Sequence, residues 1–95
     1  MVCMTTNTTL YKPLSKLAIY DNGGETVDRY TVVYLDIPER NSRLFPCVGM
    51  SENPFHPQGI GQHSTAMPGN HLGKKITWKD LPQDCQKVVL QDLGL

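Results

Sequence analysis

The sequence predicts a small α+β domain with a long ordered loop, in which one C-terminal amphipathic helix packs on an antiparallel sheet of three to four strands. Three observations predict this class. Short apolar segments rich in β-branched and aromatic residues alternate with turn residues, as strands do. Only the C-terminal segment shows a helical apolar period. A chain of 95 residues forms one domain, 1–95, so the helix must bury its apolar stripe on the sheet.

The composition argues against two kinds of partner. Nine basic and nine acidic residues cancel, so the chain has no cationic excess with which to hold a nucleic-acid backbone. No apolar run approaches the roughly 18 residues that indicate a transmembrane helix, and the N-terminus lacks the features of a signal peptide. We therefore expect a cytoplasmic protein that binds neither membranes nor nucleic acids in general.

The three cysteines do not form a motif. Cys3, Cys47 and Cys85 are an odd number and lie far apart, without a Cys-x-x-Cys pair. The sequence therefore predicts neither a disulfide framework nor a zinc knuckle. We expect Cys47 and Cys85 to be small buried hydrophobic residues.

The first half of the chain predicts a hairpin. Residues 1–12 have no period and are expected to fray or to add an edge strand. Residues 16–20 form a first strand, and the Asn-Gly pair within 21–24 predicts a tight two-residue turn. Residues 26–35 form the second arm. Because both faces of that arm carry apolar groups, we expect it to be a central strand; one face holds Tyr30, Val32 and Tyr34, and the other holds Arg29, Thr31, Val33 and Leu35.

Two further strands are predicted. Residues 44–50 form the third, and Pro46 within it indicates an edge strand or a bulge because proline lacks the donor N–H. Residues 74–78 form a short fourth strand, with Ile76 and Trp78 on one face.

The helix signals lie at the C-terminus. Asp80 or Leu81 is expected to cap the helix, with Pro82 in the first turn and Gln83 completing a capping box with Asp80. Gly94 is expected to end it. The predicted buried stripe is Cys85, Val88, Val89 and Leu93, and the predicted exposed face holds Gln83, Lys87 and Gln91.

The stretch 49–73 is unlike the rest of the chain. It holds all three histidines, three of the seven prolines and five of the eight glycines. No apolar period runs through it, so no strand or helix is predicted there. Because it carries one acidic residue and keeps several hydrophobic ones, we expect an ordered functional loop, pinned to the sheet by Phe55 and Ile60.

Three blocks of the chain carry a resemblance to a known group. They are DRYTVVY at 28–34, GMSENPFHPQGIGQH at 49–63, and LGKKITWKDLPQDCQKVVLQD at 72–92. Over about residues 16–93 the chain resembles small uncharacterised accessory proteins of tailed phages and plasmids. The resemblance carries over no catalytic residue. It implies a phage or mobile-element protein that acts in the host cytoplasm by binding, such as an inhibitor that masks a host-defence protein or sequesters a nucleotide signal.

The predicted binding site centres on the long loop. Gly59 and Gly61 are expected either to form an anion-binding nest, with Arg29, Lys74 and Lys75 adding positive charge, or merely to permit turns. For Arg29, three roles stay open: an exposed ion pair, a fork that ties the loop to the sheet, or a ligand of a carboxylate or phosphate. The predicted ligand- or partner-binding residues are Arg29, Ser51, Asn53, His56, Gln58, Gly59, Gly61, Gln62 and His63.

An alternative hypothesis is a small histidine-dependent hydrolase or metalloenzyme. His56 or His63 would be the general base, and Ser51, Ser64 or Cys47 the nucleophile. No nucleophile motif supports this hypothesis, and the spacing His-x6-His-x7-His lacks the close pair that zinc sites usually have. We therefore assign no catalytic residue, metal ligand or cofactor. The expected partner is a host-defence protein or a small nucleotide, and self-association into a homo-oligomer stays open.

Overall fold

The sheet is the organising element of the structure. A computed structural model describes residues 16–35 and 44–94, and the expectations for residues 1–12 and for Cys3 lie outside this part. Its five strands are all antiparallel and follow the spatial order β4-β3-β2-β1-β5. They are β1 (Leu17–Asp21), β2 (Tyr30–Tyr34), β3 (Phe45–Met50), β4 (Gly61–Ala66) and β5 (Lys74–Ile76).

The predicted α+β class is confirmed, with β4 as a strand that the sequence did not predict. β4 lies within the stretch expected to be a loop, and it pairs with β3 over its full length. Its residues are GQHSTA, of which the first five are exposed. A strand whose side chains are exposed to solvent on both faces needs no alternation of apolar and polar residues. The sequence of β4 therefore lacks the period-two hydrophobic pattern that predicts a strand.

Helix α1 (Gln83–Asp92) covers one face of the sheet, which we call the helix face. Cys85 and Val89 are fully buried there, and Val88 and Leu93 are partly buried, as the predicted stripe requires. Gln83, Lys87 and Gln91 are exposed as predicted. The sheet residues in this cluster are Ile19, Tyr30, Val32, Tyr34, Val48 and Met50.

The start of the helix differs from the prediction. Pro82 is the N-cap residue, rather than Asp80 or Leu81, and no capping box joins Asp80 to Gln83. The Asp80 carboxylate instead accepts hydrogen bonds from the Thr77 N–H and hydroxyl, at 3.1 and 2.8 Å, and caps a one-turn 3₁₀ helix (Trp78–Asp80). Asp80 therefore has a capping role one element earlier than expected. At the other end, Gly94 has the positive φ of a helix-terminating glycine, as predicted.

The first hairpin is also looser than predicted. β1 ends at Asp21 and β2 begins at Tyr30, so eight residues, 22–29, join them instead of a two-residue turn. The Asp21 carboxylate accepts the Gly23 N–H, and the Asn22 side-chain oxygen accepts the N–H groups of Gly24 and Glu25. These short polar side chains stabilise a wider loop by replacing the strand hydrogen bonds of a tight turn.

Pro46 lies in an internal strand, which corrects the expectation of an edge strand or bulge. β3 lies between β2 and β4, and its pairing with β2 runs only from Cys47 to Met50. Backbone bonding alternates along the strand. The backbone N–H of Ser51 points towards β4, and Pro46 is five residues earlier, so its backbone N points to the other side, towards β2. The β2–β3 pairing does not extend to Pro46. The missing donor therefore costs the sheet no hydrogen bond.

The opposite face of the sheet, the crossover face, is covered in part by the connection from β4 to β5. These two strands lie on opposite edges, so residues 67–73 must cross the sheet. Leu72 packs against the buried residues of this face, which are Ala18, Tyr20, Val33 and Cys47. The connection reaches β5 through Gly73, whose φ is +120° and which lies directly against the backbone of Asp21.

Candidate functional site

Residues 51–60 form the β3–β4 turn, the largest part of the predicted site. Ser51 N donates to Ile60 O at 2.9 Å and closes the turn at its base. Within it, His56 N donates to Asn53 O at 3.0 Å and Gly59 N donates to His56 O at 2.7 Å. The ring of His56 also accepts the backbone N–H of Gln58 at 3.1 Å. The turn is therefore ordered by its own hydrogen bonds, as the sequence predicts for a functional loop.

Ser51 anchors the turn from below. It is 9 % exposed, and its hydroxyl accepts the N–H of Ile60. The Cys85 thiol donates to the Ser51 carbonyl at 3.1 Å. Burial raises the pKa of Cys85 to about 11, which keeps the thiol protonated and able to donate. Ser51 therefore supports the turn from the core, and its hydroxyl is hydrogen-bonded within the turn.

Phe55 does not pin the turn to the sheet, contrary to the sequence expectation. Its surface is 53 % exposed at the far end of the turn, and only Ile60 of the expected pair is partly buried. The anchoring comes from the polar groups of Ser51 and from Glu52 instead. A large aromatic side chain is thereby left accessible on a backbone that hydrogen bonds hold in place.

Arg29 forms the fork that ties the loop to the sheet. Its guanidinium bonds both carboxylate oxygens of Asp21, at 2.7 and 3.1 Å, and the Glu52 carboxylate at 2.7 Å. It also lies over the ring of Tyr30. The hydrogen bond to Asp21 raises the pKa of Arg29 above its ordinary value. Of the three roles left open by the sequence, the structure shows the tie, with two carboxylates of the chain itself as its partners.

The Arg29–Asp21 pair predicts a pH dependence of stability. The hydrogen bond from Arg29 holds the pKa of Asp21 below its ordinary value. A carboxylate with a depressed folded pKa stabilises the fold above its unfolded pKa and loses that contribution as the pH falls through the folded pKa. Asp21→Asn should therefore lower the thermal midpoint at pH 7. The difference from wild type should shrink as the pH falls below about 4, the ordinary pKa of an aspartate. Thermal melts across this range test it, and a pH-independent difference would contradict it.

The glycines of the turn do not leave an open anion nest. The Gly59 N–H is bonded to His56 O, and the Ile60 N–H is bonded to the Ser51 hydroxyl. A Cβ atom at Gly59 would lie 2.1 Å from Asn53 O, so glycine is required there for the close approach of two backbone segments. The turn-forming interpretation of Gly59 accounts for these contacts.

The lysines expected to add positive charge lie far from the turn. Lys74 on β5 pairs with Asp21 on β1, whereas Gly61 on β4 pairs with Met50 on β3. Four strand spacings separate β4 from β5, which amounts to roughly 19 Å. Lys74 and Lys75 therefore do not converge with the turn glycines on one anion.

A second polar cluster joins β4 to the end of the helix. His63 Nε2 lies 2.9 Å from both carboxylate oxygens of Asp92, and the Tyr34 hydroxyl donates to the same carboxylate. The His63 side chain is 62 % exposed and that of Asp92 is 22 % exposed. Burial, followed by the neighbouring carboxylate, raises the pKa of Tyr34 above its ordinary value. Tyr34, Asp92, Leu93, Pro46 and His63 line a cavity of about 240 Å³.

Tyr34→Phe should destabilise the fold by about 1 to 2 kcal/mol because it leaves a partly buried carboxylate without its hydroxyl donor. The matched control is Tyr20→Phe. Tyr20 is equally buried on the crossover face, and its hydroxyl makes no hydrogen bond to the residues that the structure describes. Denaturant melts of both variants measure the difference. Equal stabilities would show that the Tyr34–Asp92 bond contributes nothing.

The predicted site residues fall into three places. Asn53, His56 and Gln58 are exposed on the turn, while Ser51 and Arg29 support it. Gln62 and His63 are neighbours in β4 and point to opposite faces, Gln62 to the crossover face and His63 to the helix face. Sequence reasoning missed the exposure of Phe55 and the roles of Glu52, Tyr34 and Asp92.

Gln62 lines a shallow cavity on the crossover face. The cavity has a volume of about 260 Å³ and lies over Gly49, where the Asp28 carboxylate occupies the space that a side chain would fill. Its polar lining is mixed: Asp28, Thr31, Gln62, Ser64 and Thr65. The Asp28 carboxylate accepts a hydrogen bond from Thr26 at 2.6 Å, so the lining carboxylate already has a partner.

The three histidines lie in separate elements. His56 is on the turn, His63 in β4 and His71 in a 3₁₀ helix (Asn70–Leu72). In ranges 16–35 and 44–94, no group of three His, Cys, Asp or Glu side chains is placed to hold a metal ion. Ser64 and Cys47 pair on the crossover face, opposite to His63. The expected nucleophiles Ser64 and Cys47 therefore lie across the sheet from the His63 imidazole.

In comparisons with protein-family models, curated proteins and solved structures, no match to this chain was found. Among the described residues, no helix has the length and apolar character needed to cross a membrane.

Proposed function

We propose that this protein acts by binding a protein partner through the β3–β4 turn, and that the partner is a component of a host-defence system. The observation that carries the proposal is the 53 % exposure of Phe55 on a turn fixed by hydrogen bonds. Aromatic side chains supply much of the energy of protein interfaces. The defence setting comes from the resemblance of the sequence blocks to phage and plasmid accessory proteins.

Pre-organisation of the turn favours recognition. Holding a loop in its bound conformation lowers the entropy lost on association. Here Pro54 and Pro57 restrict the backbone on either side of Phe55 and His56, and the Arg29–Glu52 pair connects the turn to the sheet. The exposed amide and imidazole groups of Asn53, His56 and Gln58 surround the aromatic ring with hydrogen-bonding partners for a polar rim.

A protein partner fits this surface better than a nucleotide. Phosphate recognition needs backbone N–H groups or cations that converge on one point. The N–H groups of Gly59 and Ile60 are bonded within the turn, and the Arg29 guanidinium is bonded to two carboxylates. What the turn offers instead is an apolar ring with a neutral polar surround.

The test is a phage-infection assay in cells that carry a defence system and express wild-type or variant protein. The double variant Phe55→Ala with His56→Ala should lose the rescue of phage plating that the wild type gives. Its thermal stability should change little, since both side chains are exposed and the backbone hydrogen bonds of the turn remain when the bond from Gln58 N–H to the His56 ring is lost. The matched control is Met67→Ala, which removes another large side chain that is 46 % exposed but lies outside the turn. A folded double variant that keeps full activity would refute the proposal.

Two measurements on purified protein address the alternatives. A nucleotide released on heating and quantified by absorbance would favour sequestration of a nucleotide signal over protein binding. A stoichiometric metal in elemental analysis would favour the metalloenzyme hypothesis. Loss of activity in His63→Ala, with the turn variants fully active, would place function at the His63–Asp92 pair instead.

A further inference from the structure

Among residues 16–35 and 44–94, no strand pairs with the outer side of β4, which is one edge of the sheet. Its sequence, GQHSTA, contains no lysine, no acidic residue and no proline, and it pairs with β3 in unbroken register from Gly61 to Ala66. Natural sheets usually guard an exposed edge with charges, proline, a bulge or a very short strand. None of these devices occurs within β4.

The opposite edge of the same sheet is guarded. β5 has only three residues, two of which are Lys74 and Lys75. It is flanked on both sides by 3₁₀ helices, Asn70–Leu72 and Trp78–Asp80. The two edges of the described sheet therefore differ in how their sequences protect them against pairing with another strand.

The hydrogen-bond pattern identifies which backbone groups of β4 point outward. Ser51 N donates to Ile60 O, so Ser51 and Ile60 are a hydrogen-bonded pair of the β3–β4 ladder. Such pairs alternate along antiparallel strands, and the register therefore directs the backbone groups of Gln62, Ser64 and Ala66 towards β3. The N–H and C=O groups of Gly61, His63 and Thr65 point away from the sheet.

We propose that β4 pairs with β4 of a second copy of this chain, antiparallel about a two-fold axis at His63, to give a continuous ten-stranded sheet. The three outward-pointing residues are spaced symmetrically about His63, so this register pairs Gly61 with Thr65 of the second copy and His63 with its counterpart. It satisfies all six outward backbone groups on each strand. A shift of two residues would leave some of them unpaired.

The side chains of β4 are compatible with this self-pairing. Gly61 opposes Thr65 and imposes no steric limit, and the strand carries no Asp, Glu, Lys or Arg that would meet a like charge across the axis. Each His63 ring is held towards its own helix by Asp92, at 2.9 Å. The two His63 rings of the dimer would therefore point away from each other, and the two backbones could approach closely. A second copy fits this edge better than a charged or apolar peptide because β4 offers neither opposite charge nor an apolar face.

The first experiment measures mass in solution by light scattering after size exclusion. The wild type should elute at about twice the 10.6 kDa mass of one chain. Thr65→Pro removes an outward N–H without removing a β3–β4 hydrogen bond, and should weaken the dimer by at least about tenfold. Thr65→Val, which keeps the N–H, is the matched control and should remain dimeric. Thermal melts confirm that both variants fold. A monomeric wild type, or a Thr65→Pro protein that is folded and equally dimeric, would overturn the proposal.

The second experiment tests the register by disulfide cross-linking in a Cys3→Ser, Cys47→Ala background. Cys47 is removed because it pairs with position 64 of the same chain and would compete for a cysteine there. Under mild oxidation His63→Cys should give a covalent dimer, because paired residues in this position lie about 5.5 Å apart at Cα, within disulfide range. Ser64→Cys should cross-link much more slowly, since the two substituted residues would be diagonal neighbours on the crossover face. Efficient cross-linking through Ser64→Cys rather than His63→Cys would reject the axis at His63.

Discussion

Val89→Asp is expected to unfold the domain. Val89 is fully buried at the centre of the helix-face cluster, where α1 meets β1, β2 and β3. An aspartate there would be an unpaired charge in an apolar core, which costs more than about 4 kcal/mol. A 95-residue domain lies towards the low end of the usual stability range of about 5 to 15 kcal/mol, so this cost is comparable with its whole stability. We expect no cooperative melting transition in circular dichroism at 25 °C and above.

The control for this prediction is Gln83→Asp on the same helix. Gln83 is exposed in the first turn, where a negative charge interacts favourably with the helix dipole. Its melting temperature should equal or slightly exceed that of the wild type. A Val89→Asp protein that melts cooperatively near the wild-type temperature would show that the helix packs through another face.

Gly73→Ala is expected to destabilise the fold strongly. Gly73 has a φ of +120°, and a Cβ there would lie 2.5 Å from Asp21 O and 2.7 Å from the Cα of Asn22. Both neighbours are backbone atoms, so neither can rotate away. The strain of the conformation and the overlap together should cost about 3 kcal/mol or more. Chemical denaturation measures the loss, and β5 should be the strand that detaches.

Gly24→Ala separates the two causes. Gly24 also has a positive φ, +87°, but a Cβ there would meet no atom within 4 Å. Its substitution should cost only the conformational part, about 1 kcal/mol. Equal losses of stability in the Gly24→Ala and Gly73→Ala proteins would mean that the backbone of Asp21 moves to accommodate the added methyl group at position 73.

The elements predicted best from the sequence are those whose faces differ in polarity. β2 and α1 were placed because Tyr30, Val32 and Tyr34 alternate and because Cys85 and Val89 keep a helical spacing, and both patterns are buried as expected. β4 is not predicted because its first five residues are exposed and only Ala66 packs against a core cluster. The tight hairpin was wrong for a local reason: Asp21 and Asn22 hydrogen-bond to the loop itself.

The candidate site was predictable in position and less so in detail. The density of proline, glycine and histidine in 49–73 indicated an ordered turn, and hydrogen bonds around His56 order it. The bond between His63 and Asp92 joins positions that are distant in sequence, and it depends on where the end of α1 rests on the sheet. No local pattern contains that placement. Phe55 points outward, and the turn is instead held to the sheet by the hydrogen bond of Ser51 and the ion pair of Glu52. A local sequence pattern does not contain these contacts either.

The crossover from β4 to β5 also shapes the folding kinetics. β1 to β4 form a meander in which each strand pairs with its sequence neighbour, so that part can assemble through short loop closures. β5 must instead find β1, pairing Ile76 with Ile19 across most of the chain. Long-range contacts of this kind form late. Substitutions at Gly73 should therefore accelerate unfolding and leave the refolding rate nearly unchanged. Since the β1–β5 pairing forms last, we expect the native protein to open first between these two strands.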